Sequence, residues 1–133
     1  MVDALDRAIR HLRPGGLLID ARPDGSRLPR VIARGRAAGS VLPREDVALD
    51  DAAADRAIAT MVQRGRLRSI ERGRLWYQTS FRSLNELDEY LRSSTRYAKL
   101  SPGTRKRVPK DGSGRLVMRR AIKYELLTRI GPR

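Results

Sequence analysis

A chain of 133 residues, 40% hydrophobic and 33% charged, is long enough for one domain with a real core and too apolar to be disordered. It has no cysteine and one histidine, His11, which excludes a disulfide framework, thiolate chemistry and a histidine-built metal site. No stretch approaches the roughly 18 apolar residues of a membrane span. With Asp3 and Asp6 at its start it carries no secretory signal, so a cytoplasmic protein with no membrane partner is expected.

The net charge of +14 comes from 25 Arg and only 4 Lys, a bias that also matches a GC-rich bacterial genome. Its distribution says more. Residues 1–95 hold 17 basic and 13 acidic side chains, whereas residues 96–133 hold 12 basic and 2 acidic. The excess is a C-terminal property.

Asp3 suits a helix N-cap, and Leu5, Ile9 and Leu12 repeat on one helical face. Pro14 and Gly15-Gly16 stop that helix. Leu17–Ala21 is apolar without alternation, which predicts a strand buried on both faces, as in a parallel sheet. Residues 22–26 form a turn. Val31–Ala33 and Ser40–Leu42 read as a hairpin with a loose loop over Arg34–Gly39.

Asp50 or Asp51 is expected to cap a helix to about Arg64, with Ala54, Ile58, Met61 and Val62 on one face and Gly65 as its stop. Leu67–Glu71 and Leu75–Phe81 predict a second hairpin around Arg72-Gly73. Ser83-Leu-Asn-Glu86 is a capping box opening a helix with Leu84, Leu87 and Leu91. From Ser94 to Gly114 the chain reads as a basic loop, or a short helix around Pro102–Val108. Leu116–Met118 and Ile122–Leu127 then form a final long strand. The expected organisation is a single domain, 1–133: an α/β core at 1–93, a basic loop region at 94–114 and the final strand at 115–130.

Leu12-Arg13-Pro14-Gly15-Gly16 before an apolar strand, and Phe81-Arg82-Ser83-Leu84 before a helix, resemble the C-terminal half of class I S-adenosylmethionine-dependent methyltransferases. There a helix ends in such a turn before the fifth strand, and the sixth and seventh strands pair antiparallel at the sheet edge. By this resemblance the chain begins mid-fold. The implied fold is α/β: a small mixed sheet of about five to six strands with two or three helices, like the second half of a Rossmann-like methyltransferase. The family's cofactor site needs a glycine-rich loop after a first strand and an acid after a second. Neither is here, since Asp111-Gly112-Ser113-Gly114 precedes its strand and reads as a turn. No cofactor, catalytic or metal residue is therefore assigned.

Asp20 and Asp24 fall at the end of the apolar strand, where open α/β sheets place ligands, though Asp24 also suits its Pro-Asp-Gly turn. His11 reads as a partner of the helix C-terminal carbonyls. Trp76, Tyr77 and Phe81 read as core more than as a base-stacking platform. Arg105, Lys106, Arg107, Lys110, Arg115, Arg119 and Arg120 are the candidate phosphate contacts. The leading reading is a methyltransferase-like domain, non-catalytic alone and acting through homodimerisation or a partner chain. The alternatives are a small basic nucleic-acid-binding protein and a subunit of a split methyltransferase whose cofactor half is a partner protein.

Overall fold

The structure, a computed structural model, describes residues 2–109 and 115–132. Its elements in chain order are α1 (Val2–His11), β1 (Leu17–Pro23), β2 (Arg30–Ala33), β3 (Arg36–Pro43), α2 (Val47–Gln63), β4 (Leu67–Phe81), α3 (Leu84–Ser93), β5 (Tyr97–Leu100), α4 (Thr104–Arg107) and β6 (Leu116–Arg129). The fold is α/β, as expected: among the described residues an open antiparallel sheet of six strands, within the expected five to six, is joined by four helices where two or three were anticipated. The chain divides into two compact units. One comprises residues 1–22, 48–75 and 123–133; the other comprises 23–47 and 76–122. No helix among the described residues is long and apolar enough to cross a membrane.

In the first unit β6 lies between β1 and β4. Its junction with the Pro-Gly-Gly turn is closed by two backbone hydrogen bonds, Gly15 N–H to Arg129 O and Arg129 N–H to Gly16 O, each 2.9 Å. Helices α1 and α2 cover one face, where Ile9, Ile58 and Met61 meet Leu67 and Leu127, with Leu18 packed alongside. On the other face of β1, Leu17 and Ile19 are 57% and 67% exposed. The expectation of a strand buried on both faces is thus overturned. Beta-1 is an edge strand alternating between exposed and half-buried, because helices cover only one of its faces. Alpha-2 starts at Val47, earlier than the Asp50–Asp51 cap anticipated, and ends as expected before Gly65, whose φ is +66°.

The second unit is built on β2, β3 and β5 with the remaining parts of β4 and β6. The β2–β3 hairpin is tighter than the sequence suggested. Ala33 pairs with Arg36, leaving a two-residue turn in which Arg34 (φ 50°) and Gly35 (φ 74°) are both left-handed. Such a turn matches the twist of its flanking strands. Ser83 caps α3 by accepting from the Glu86 N–H at 3.2 Å, while the Glu86 carboxylate accepts from the Arg82 N–H at 2.7 Å. Leu87 and Leu91 then enter a core with Val31, Val41, Phe81, Tyr97 and Met118.

The short α4 falls within the helix anticipated around Pro102–Val108, but the same stretch also holds β5, which pairs with β3 as Val41 opposite Leu100 and was not anticipated. The hairpin around Arg72-Gly73 does not exist, because β4 runs unbroken through both residues. Gly73 is there for close approach instead: a Cβ would lie 2.5 Å from the Tyr124 hydroxyl and 2.6 Å from its ring. The Asp111–Gly114 turn and Lys110 lie outside the described residues.

Candidate functional site

In the first unit, alternation along β1 puts Asp20 and Arg22 on the face that carries Leu18. Arg22 reaches Asp20 with two parallel hydrogen bonds, Nε to Oδ1 at 3.0 Å and Nη2 to Oδ2 at 2.8 Å. The same Nη2 donates to Asp55 of α2 at 2.7 Å, and Lys123 of β6 donates to Asp55 at 3.1 Å. These charges border a cavity of about 470 Å³ floored by Ile58, Ala59 and Val62. Its far rim holds the Arg72–Glu125 pair (2.9 Å) and Gly73.

Burial pushes the Asp55 carboxyl up, but the hydrogen bonds from Arg22 and Lys123 outweigh it and hold it below the usual carboxylate range. The stability Asp55 adds is therefore complete above the ordinary carboxylate pKa and is lost as pH falls through the depressed one. Since Asp55 is half exposed, replacing it with Asn should cost only about 1 kcal/mol at neutral pH. Urea titrations of Asp55→Asn and the parent chain should converge as pH drops through the acid range.

Both carboxylates are held by cations, so the cluster works as a clasp between β1, α2 and β6 rather than as an acid–base pair. Asp20 thus has a structural partner. Asp24 is 6% exposed, and its Oδ1 accepts from the Ser26 N–H at 3.0 Å and the Ser26 hydroxyl at 2.6 Å. Reading the sequence alone missed Arg22, Asp55 and Lys123. The signal for the first was present in the two-residue spacing of Asp20 and Arg22 on a strand. Among the described residues no three His, Cys, Asp or Glu side chains converge on a metal position. His11 ends α1 and is exposed.

The basic candidates fall in the second unit and divide by partner. Arg105 is bidentate on Asp88 at 2.8 and 2.9 Å, and this hydrogen bond holds the Asp88 carboxyl below its usual range. The Arg119 guanidinium stacks 4.6 Å from the Trp76 ring, and Arg120 stacks 4.9 Å from Tyr77 while donating to the Tyr90 hydroxyl at 3.1 Å. Arg107 donates to Ala38 O at 3.2 Å. Lys106 and Arg115 are exposed.

The sequence therefore grouped residues with different jobs. Trp76 and Tyr77 are also not core: they are 44% and 49% exposed under these guanidinium groups, and only Phe81 is buried. Neither a family model, nor a curated protein, nor a solved structure matches the chain.

Proposed function

We propose that the chain is the C-terminal half of a class I S-adenosylmethionine-dependent methyltransferase-like sheet, non-catalytic by itself and completed along β1 by a half that binds the cofactor. The observation that carries this reading is the rim of the first unit. Beta-6 separates β1 from β4, leaving the outer edge of β1 without a partner strand in the sheet order and Leu17 and Ile19 bare. In the family that Leu12–Gly16 and its strand resemble, the last two strands pair; here β4 and β6 pair, although β5 intervenes between them in the chain. There the strand after Pro-Gly-Gly takes its other neighbour from the cofactor-binding half. An apolar strand with one uncovered face and one unpaired edge is what remains when that half is taken away.

This chain's own residues do not fit the cofactor. A ribose needs a carboxylate with open acceptor positions beside a side-chain-free loop. Asp20 is committed to Arg22 and Asp24 to Ser26. Calorimetry at millimolar S-adenosylmethionine should give no heat of binding with the chain alone. Binding should appear once a glycine-rich strand–loop–helix half is supplied. A specific micromolar affinity of the chain alone overturns the proposal.

A further inference from the structure

The second unit carries 16 of the 29 basic side chains and only 7 of the 15 acidic ones. Strand register gathers part of that excess at one end of its sheet. Ala33 of β2 pairs with Arg36 on one side and with Leu116 on the other. The residues just beyond those pairs, Arg34 in the turn and Arg115 before β6, therefore emerge beside Arg36. Adjacent strands are about 4.8 Å apart, so the three positions span about 10 Å. Arg107 joins them along β3 through its hydrogen bond to Ala38 O. All four are exposed.

The backbone supplies an independent sign. Arg34 has a positive φ, 50°, at a turn position where Asn or Gly is the favoured occupant. A non-glycine residue there costs about 1 kcal/mol, and strain of this kind concentrates at functional positions.

We infer that the Arg34–Arg36–Arg107–Arg115 tip is a contact surface for the phosphate backbone of a nucleic acid. Four guanidinium forks suit phosphate oxygens. A nucleic-acid strand presents about three phosphates, at about 3.4 Å of axial rise each, over the 10 Å the tip covers. Among the described residues no large apolar side chain is exposed at the tip, where Gly35 and Ala37 accompany the arginines. That disfavours a bilayer, which wants an apolar anchor beside the charge, and a protein partner, whose interface wants an apolar centre. Binding is sequence-independent, and it does not rest on the methyltransferase-like reading.

The test is fluorescence anisotropy of the full chain with a fluorescein-labelled polyuridine oligonucleotide across a salt series. With three phosphates neutralised, affinity should fall roughly twentyfold between about 50 and 200 mM salt. The variant Arg34→Gly/Arg36→Gln/Arg115→Gln keeps the turn geometry. It should flatten the log–log salt slope by about two and weaken binding at least about tenfold at low salt. Arg7→Gln/Arg13→Gln/Arg68→Gln removes the same charge from exposed positions of the first unit and should bind within about twofold of the parent chain. Equal loss in both variants overturns the proposal in favour of bulk charge. So does an affinity indifferent to salt, equally tight binding to phosphatidylserine vesicles, or displacement of the oligonucleotide by polyglutamate at matched charge.

Discussion

Gly39→Ala is expected to destabilise the second unit by about 2–3 kcal/mol, the upper range for overpacking. A Cβ at this position would lie 1.8 Å from Thr104 Oγ1, 2.7 Å from its Cβ and 2.9 Å from its Cγ2. Thr104 cannot retreat. It is fully buried, and its hydroxyl is bonded to the Ser101 hydroxyl at 2.6 Å; that hydroxyl also accepts from the Ser40 N–H at 3.0 Å. Backbone and neighbouring strand must move instead.

The contrast with Gly73 sharpens the point. The atoms crowding Gly73 belong to the free end of the Tyr124 side chain, so Gly73→Ala should cost under about 1 kcal/mol, Tyr124 swinging away from Glu71. Thr104→Ala alone loses one hydrogen bond, about 1 kcal/mol. Placed on the Gly39→Ala background it should recover part of the lost stability, because it removes two of the three clashing atoms and leaves only the 2.7 Å contact with the residue-104 Cβ. Urea unfolding of the four-member cycle reads the coupling. A favourable coupling below about 0.5 kcal/mol would mean that β3 and α4 are not packed as described.

The second large effect separates neighbouring residues of β1. Leu18 packs against the Ile9, Ile58 and Leu127 cluster, whereas Ile19 is 67% exposed. Leu18→Lys should unfold the first unit, since a charge placed there has no partner and its apolar contacts are lost. Ile19→Lys should leave stability within about 0.5 kcal/mol. Its effect should fall on association. Leu17 and Ile19 expose an apolar face at the edge of the sheet, with Asp20 and Arg22 on the opposite face and Pro23 only at the strand's end; such an edge pairs readily, and a two-fold dimer is the commonest closed solution. Light scattering of the parent chain without a partner half should therefore give a mass about twice the 15.0 kDa monomer, and Ile19→Lys should return it to the monomer. A monodisperse monomer for the parent chain removes self-association through β1.

The parts legible in the sequence were those written in local chemistry. Ser83 and Glu86 announce their helix by capping, Gly65 stops α2, and the three helices long enough to show a periodic face were all recognised. What failed depended on contacts distant along the chain. Gly73 looks like a turn until Tyr124, contributed by β6, is seen to occupy the space of its missing side chain. The apolar run Leu17–Ala21 reads as buried on both faces, whereas what covers a strand is set by its neighbours. Arg34-Gly35 as a two-residue turn was hidden because arginine is not a customary left-handed residue. The basic candidates show the same limit. Adjacency in the sequence grouped Arg105, Arg119 and Arg120 with Arg107 and Arg115, whereas the structure gives the first three to Asp88, Trp76 and Tyr90, and strand register sets Arg34 and Arg36 near Arg115.

The hydrogen bonds joining Gly15 and Gly16 to Arg129 have a consequence for how the chain is made. Beta-1 leaves the ribosome about a hundred residues ahead of β6, the strand that pairs with it. At translation rates of about 5–20 residues per second, roughly 5–20 seconds separate the two. During that interval Leu17–Ala21 is a nascent strand with no native neighbour, the kind of long-range pairing that folds slowly and is open to chaperones and proteases. A ribosome that stops short of Lys123 releases a product in which this strand has nothing to pair with. Termination between β1 and Lys123 should therefore yield degraded protein rather than a stable truncated one.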